Sequence, residues 1–409
     1  MISIEEALTK VLNGVAPLGV ESIDLMECTG RVLAEPLYAP HDLPPFDNAA
    51  MDGYALRVED TRQATPDTPV SLRIVGEAAA GRGYGAPLQP GEAVLINTGA
   101  PVPAHAAAVL PLEQAQVHDQ WLIISEPVKP ADHIRRKGLD VQAGMKLLEA
   151  GTRLQQPHIG LLAALGLTPL KVYRRPRVAI ITTGNELLPY DAPLRPDSIR
   201  DSNSVMVLQW LRAWGIPCPF RSMAPDELPA LTERIEQALS EAEVVLLTGG
   251  VSVGRHDLVQ AALQQIGAEV VFWRVNIKPG KPLLFARHGN QAIFGLPGNP
   301  LAVVVGLYLF VRSYLAAQEG ETVERSCFLR ARLNTPIHKK ESRAEFLTAY
   351  LRAEPDGTLS ITPTPAQGSS LLGALAQANA FLYLPAGESD YPAGTLVRAL
   401  PIAPMEGYR

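Results

Sequence analysis

Cysteine is scarce in this chain: Cys28, Cys218 and Cys327 are the only three in 409 residues, and no two of them form a Cys-X-X-Cys pair. Such spacing suggests neither a disulfide framework nor a zinc ribbon, so a reducing cytoplasm is the expected home. Basic residues are also in short supply, 36 lysines and arginines against 42 aspartates and glutamates, a formal charge of −6. Duplex binding relies on a basic face, so a nucleic-acid partner is not expected. The runs Arg135-Arg136-Lys137 and Arg174-Arg175 with Arg177 are too short to change that. Long apolar runs are missing too. The longest, Leu301 to Val311, stops at Arg312, well short of the roughly 20 residues a membrane span needs. It is expected to be a buried helix, with no membrane partner. The N-terminal "MISIEEALTKVL" is acidic where a signal peptide is basic, and its pattern predicts an amphipathic helix.

What is present is 47% hydrophobic and 19% charged residues over a length too great for one core, which predicts two to four folded domains. From Arg177 the pattern is that of an α/β domain. "RVAIITTGNE" and "VVLLTGG" read as buried strands, and Asp201-Ser202-Asn203 supplies caps for a helix carrying Val205, Leu208 and Leu211. Leu228, Leu231, Ile235 and Leu239 mark another helical face, and a long helix starts at Asn299-Pro300. A mostly parallel sheet with helices on both faces is expected over residues 172–325. Residues 41–139 hold short β-type runs punctuated by glycine and proline, which suits a small β module. A second β module follows Ser326 over residues 326–409, with a hairpin around Pro355-Asp356-Gly357. Segments 1–40 and 140–171 look helical and bracket the first module, which makes it an insertion into one helical domain.

Ligands of open parallel sheets sit beyond the carboxyl ends of the strands, so the loops after the two buried strands are where chemistry is expected. The first sets Glu186 four residues past Thr182; the second places Gly249, Gly250 and Gly254 ahead of Asp257. Glycines there let backbone N–H groups approach an anion closely. Asp257 and Asp226 also fit helix N-caps, whereas Glu186 has no comparable structural role. In "VNIKPGKPLLF", Lys278 and Lys281 stand three residues apart around Pro279 and Gly280, scaffolding that a surface lysine does not need. "GLPGNP" adds Asn299 as cap and Pro300 as first helical residue, a helix N-terminus with amides expected to be free. This predicts an electropositive pocket. Neighbouring carboxylates oppose anion binding unless they carry a divalent ion, so Mg²⁺ shared between carboxylates and phosphates is expected. On their own physics Asp47, Asp52, Arg343 and Ser369 read as ordinary turn or surface residues.

Eight stretches, "PPFDNAAMDGYA", "NTGAPVP", "IRRKGLD", "TTGNEL", "GGVSVGRHD", "KPGKP", "GLPGNP" and "QGSS", occur in one order along the chain. Together they resemble the molybdopterin molybdenumtransferase family, nearly end to end. The resemblance implies a multidomain α/β plus β fold: a helical dimerisation segment, an inserted β module, a molybdopterin-binding α/β/α domain and a C-terminal β barrel. It implies insertion of molybdate into adenylylated molybdopterin with release of AMP, assisted by Mg²⁺. It also implies a homodimer, with the molybdopterin adenylyltransferase as a candidate partner. Carried over by position, Lys278, Lys281, Arg343 and Ser369 look like the molybdate pocket. Glu186, Asp226 and Asp257 look like nucleotide, pterin or Mg²⁺ contacts, Glu186 and Asp257 being the expected metal ligands. Ser252, Pro297 and Pro300 match substrate contacts, and Asp52, Thr98, Arg135 and Asp140 match cleft residues of the inserted module. This chain departs from the family pattern at His105-Ala106-Ala107, His133, Leu139, Arg274 and Ala302. An adenylyltransferase sharing the α/β domain, and a non-catalytic pterin-binding scaffold, are the alternatives.

Overall fold

The computed structural model describes residues 1–250, 258–321 and 328–404. It divides into two compact units, one of Met1–Ala34, Gly151–Gln156 and Pro169–Arg409, the other of Glu35–Ala150 and Pro157–Thr168.

The first unit is built on a six-stranded sheet ordered Phe220–Ala224, Val178–Thr183, Val244–Thr248, Gln291–Leu296, Leu284–His288, Glu269–Trp273. The first four strands are parallel, Leu284–His288 runs opposite to them, and Glu269–Trp273 joins it through a second antiparallel pairing. Val178–Thr183 and Val244–Thr248 are buried along their whole length, as their unbroken apolar runs predict for strands covered on both faces. One face packs on helices Leu228–Glu241 and Leu258–Gln265 through Leu231, Ile235, Ala238, Val259 and Leu263. The other packs on helices Ile4–Leu12 and Asn203–Ala213 and on the long helix from Pro300 to Gln318. In Asn203–Ala213 the buried positions are Ser204, Val207 and Leu211 rather than Val205 and Leu208. Asp201 sets that phase from outside the helix, its Oδ1 accepting from the Ser204 amide at 3.0 Å.

The 19-residue Pro300–Gln318 helix is long and apolar enough to cross a membrane, yet 72% of its apolar 18-residue window lies inside the protein. Leu301 to Val311 are all buried in the core with Ile4, Val11, Phe285 and Phe294, as expected of a core helix. A π-helical stretch at Leu307–Val311 divides it.

Further along the chain, strands Ala344–Ala353, Leu359–Pro363, Leu329–Leu333, Leu396–Pro401 and Ala380–Leu384 pair in that order, and the last returns to the first. This closed five-stranded barrel has no free edge and is filled by Leu333, Leu351, Ile361, Leu382 and Ala399. Its hairpin turns at Gly357, where φ is +82°. The short strand Ile277–Lys278 adds to the barrel in parallel, with Ile277 opposite Ala344 and Lys278 opposite Glu345.

The second unit holds a six-stranded sheet ordered Ala108–Pro111, Gly53–Leu56, Glu92–Ile96, Val70–Ala78, Trp121–Ile124, Gln116–His118, formed by the β-type runs between residues 41 and 139. Beside it the Gln156–Ala164 helix contributes Leu161 to a small core with Ala39, Val141 and Leu165.

Segments 1–40 and 140–171 are less helical than their composition suggests. After Ile4–Leu12 the chain runs through strand Val20–Ile23, one turn of 3-10 helix and strand Leu37–Tyr38, and 140–171 adds strands Lys146–Leu148 and Leu170–Tyr173 around its one α-helix. Left-handed turns at Gly14, Gly30, Gly144 and Gly151 interrupt any longer helix.

Candidate functional site

Lys278, Lys281, Arg343 and Ser369 line one cavity of about 370 Å³, together with Gly280, Ala302, Glu345 and Gln367. Residues separated by up to 91 positions in sequence are thus gathered on one wall by the pairing of Ile277–Lys278 with the barrel. The surroundings are not purely cationic. Lys278 Nζ lies 3.1 Å from Glu345 and 3.5 Å from Glu341, and Glu341 takes the Arg343 guanidinium through both oxygens at 3.0 Å. Burial works against the Lys278 charge, but the two carboxylates outweigh it and hold the ammonium above the usual lysine range. Hydrogen bonding to Arg343 pulls the Glu341 carboxyl down to about 2. The electropositive pocket expected from the lysine pair is therefore a mixed-charge pocket, because the barrel supplies acidic residues that the "KPGKP" segment does not reveal.

Glu341 gives a pH expectation. Its folded value is depressed, so its contribution to stability is complete above the ordinary glutamate value of 4.5 and is lost as pH falls through about 2. Acid titration followed by circular dichroism should show this loss in the wild-type chain and a flatter response over the same window in Glu341→Gln.

A larger cavity, about 1120 Å³, opens at the carboxyl ends of the parallel strands, and Pro282, Pro297 and Asn299 line both cavities. Its walls include Thr183, Gly184, Glu186, Asp226, Thr248, Gly249, Gly250 and Pro300. The Glu186 carboxylate folds back over Gly184, its Oε2 2.6 Å from where a Cβ there would stand. Asp226 does not cap the following helix, whose N-cap is Glu227. Instead its amide donates to Asn185 Oδ1 at 3.1 Å, and its Oδ2 accepts from the Asn185 amide at 3.4 Å, which ties the two strand-exit loops together. The hydroxyls of Thr183 and Thr248, on the lining of this cavity, are buried with no hydrogen-bond partner among the described residues. Buried polar atoms left in this way are characteristic of sites that a ligand completes. Neither threonine stood out in the sequence, where both looked like strand-end residues.

The helix N-terminus at Asn299-Pro300 is less open than expected. The Leu301 amide donates to the Ser369 carbonyl at 3.1 Å, and Asn299 Nδ2 donates to Ser369 Oγ at 3.1 Å. Ser369 is thereby fixed at the cavity wall by the residues it faces. Ser252 and Asp257 lie outside the described residues, and among the described residues no group of three or more histidine, cysteine, aspartate or glutamate side chains is arranged to hold a metal ion.

In the second unit, Asp52 Oδ1 accepts from the Thr98 amide at 2.6 Å and from its hydroxyl at 2.9 Å, and these bonds hold the carboxyl below its usual range. Arg135 donates to the Ala50 carbonyl at 3.5 Å, next to this pair in the strand that joins Ile134–Arg135 to Asn48–Ala49. Asp140 is exposed, with its amide bonded to the Leu43 carbonyl. Asp47, read as a turn residue, binds Arg136 at 2.6 Å and the Lys137 amide at 2.7 Å.

A doubly covered, mostly parallel sheet with a glycine-lined cleft at its strand ends, joined to a closed barrel that adds a small pocket of mixed charge, defines an α/β ligand-binding protein with an appended β barrel. Three family models match it in succession: the MoeA N-terminal region (domain I and II) over residues 2–166, the probable molybdopterin binding domain over 179–317, and the MoeA C-terminal region (domain IV) over 330–402. The chain is 36% identical to a molybdopterin molybdenumtransferase of Nostoc, covering 98% of this chain and 94% of that one. It is 32% identical to that of Haemophilus influenzae over the whole of both. Among solved structures, a molybdopterin biosynthesis MoeA protein from Pyrococcus horikoshii superposes with a TM-score of 0.83 at 30% identity, covering 98% of this chain and 99% of that one. The chain belongs to the molybdopterin molybdenumtransferase family.

Proposed function

We propose that this chain is a molybdopterin molybdenumtransferase, inserting molybdate into adenylylated molybdopterin with release of AMP. The observation that carries this reading is the convergence of Lys278, Lys281, Arg343 and Ser369 on one small cavity that shares Pro282, Pro297 and Asn299 with the large cavity at the strand ends. Molybdate is a compact dianion. Two ammonium groups, a guanidinium and a hydroxyl on stiff backbone offer it charge and donors at little ordering cost. The larger cavity has room for the activated pterin, with its acidic and hydroxyl groups facing the ligand. An adenylyltransferase is not favoured, because the flanking regions match the family as fully as the α/β domain does.

Mg²⁺ is part of this reading. Such an ion keeps several waters and needs only one or two carboxylates beside substrate phosphates, and Glu186 on the cavity wall fits that donor set, with Asp257 as the second expected ligand. When bound it would supply charge neutralisation at the phosphoanhydride. The chain's own part is to orient the two substrates: Asp226 and Asn185 fix the loop that presents Glu186, and Ser369 and Asn299 fix the partition between the cavities. Residues Asp52, Thr98, Arg135 and Asp140 are proposed as cleft residues of the same reaction, in a cytoplasmic homodimer supplied with activated pterin by the adenylyltransferase. Incubating the chain with adenylylated molybdopterin, molybdate and Mg²⁺ tests the reading. Stoichiometric AMP release that depends on molybdate is expected, and tight pterin binding without AMP release would leave a scaffold instead.

A further inference from the structure

Glu345 presents a contradiction that the lysine cluster does not. Its side chain is 13% exposed, it lines the same cavity as Lys278, Lys281, Arg343 and Ser369, and an ionised carboxylate can only accept hydrogen bonds. A fully deprotonated tetrahedral dianion also only accepts. Placed in one small cavity the two repel, unless one proton lies between them.

The position is enforced by the fold. Glu345 is the register partner of Lys278 in the parallel pairing of Ile277–Lys278 with the barrel strand, and the Lys278 ammonium lies 3.1 Å from its carboxylate. The charged groups around it are Lys278 from the adjoining strand, Lys281 on the cavity lining, and Lys339, Glu341 and Arg343 from the segment that leads into its own strand. Glu341 occupies one edge of Arg343 and also approaches Lys278, and Lys339 is turned to the Glu341 and Gly387 carbonyls. Glu345 is the carboxylate on the cavity wall.

We propose that Glu345 is the specificity-determining residue of the oxyanion pocket, admitting a tetrahedral oxyanion that shares a proton with its carboxylate and rejecting one too weakly basic to do so. Resting on the reading of the pocket as a molybdate site, this sets molybdate apart from sulfate, which has the same charge and tetrahedral shape. Molybdate oxygens take up a proton far more readily than sulfate oxygens do. An acceptor left facing an acceptor costs binding, and a site built around a hydrogen-bonding proton discriminates strongly against a ligand that cannot hold it. Two consequences follow for the wild-type chain: molybdate binding takes up about one proton, and its affinity falls as pH rises above neutrality.

Isothermal titration of the full chain with sodium molybdate and with sodium sulfate, in buffers of different ionisation enthalpy and with Glu345→Gln alongside, tests this. The wild type is expected to prefer molybdate by ~10-fold or more and to take up a proton. The variant, whose amide can donate to a bare oxygen, is expected to gain sulfate affinity by ~10-fold, to narrow the preference, and to bind molybdate without proton uptake. Molybdate binding by the wild type with no proton uptake overturns the proposal without any variant having to fold. So does an equal change for both anions in Glu345→Gln, which would mark Glu345 as a simple counter-charge to Lys278. Failure of the wild type to bind molybdate at all would instead remove the functional reading beneath it.

Discussion

Molybdate affinity is expected to fall by at least ~100-fold when Lys278 and Lys281 are both replaced by alanine, and molybdate-dependent AMP release with it. Each charge-assisted hydrogen bond to a bound anion contributes about 1.5–3 kcal/mol, so losing two gives a factor of that order or greater. The geometry adds to the loss. Lys278 is paired with Glu345 at 3.1 Å, and its removal leaves that carboxylate facing the cavity without its partner. Titration of each variant with molybdate measures the effect, and a single-turnover assay for AMP follows its consequence. Affinity unchanged in the double variant would mean that the anion binds elsewhere. Lys281→Ala alone is expected to cost less than Lys278→Ala, because only Lys278 is engaged by both Glu341 and Glu345.

Gly249→Ala is expected to destabilise the first unit by on the order of 3 kcal/mol and to abolish binding in the large cavity. Gly249 follows the Val244–Thr248 strand with φ at +87°, and a Cβ there would stand 2.4 Å from the Thr183 carbonyl oxygen of the neighbouring strand. Left-handed backbone and a clash with backbone act together, and neither is relieved by moving a flexible side-chain end. To make room, the two strand ends that carry Thr183 and Thr248 would have to separate, and those hydroxyls form part of the cavity wall. Denaturant unfolding and equilibrium binding of molybdopterin measure the two effects. A variant of normal stability and normal pterin affinity would show that the strand ends do not need this close approach.

Some departures from the family pattern acquire a physical meaning only in three dimensions. His105, His133 and Arg274 all sit at positive φ, +70°, +53° and +86°. That region is uncommon for residues other than glycine, although histidine adopts it more readily than most. Arg274 lies over the Trp273 ring at 4.2 Å. Leu139 is 67% exposed, so a departure there leaves the core untouched. Ala302 is buried and lines the small cavity, so a departure there changes the pocket wall itself.

Much of the first unit was legible from local pattern. The apolar runs at Val178–Thr183 and Val244–Thr248, the face of Leu231 and Ile235, and the hairpin at Gly357 are consequences of burial and turn chemistry acting over a few residues. The helical reading of segments 1–40 and 140–171 was less successful, since their left-handed glycine turns divide them into short pieces. At the site, Glu186 and the two lysines stood out because no local structural need explains them. Arg343 and Ser369 looked ordinary until the family resemblance singled them out, and Thr183 and Thr248 passed as strand residues.

By itself, then, the sequence determined the strands, helices and turns, and the family to which eight ordered motifs tie it, because these depend on neighbours in the chain. The charge balance of the small cavity was decided by tertiary structure alone. Lys278 meets Glu345 because two segments 67 residues apart pair in one register, and Ser369 meets Asn299 across 70. A shift of that register by one residue would turn Glu345 to the opposite face of the strand, and no local pattern in either segment fixes it.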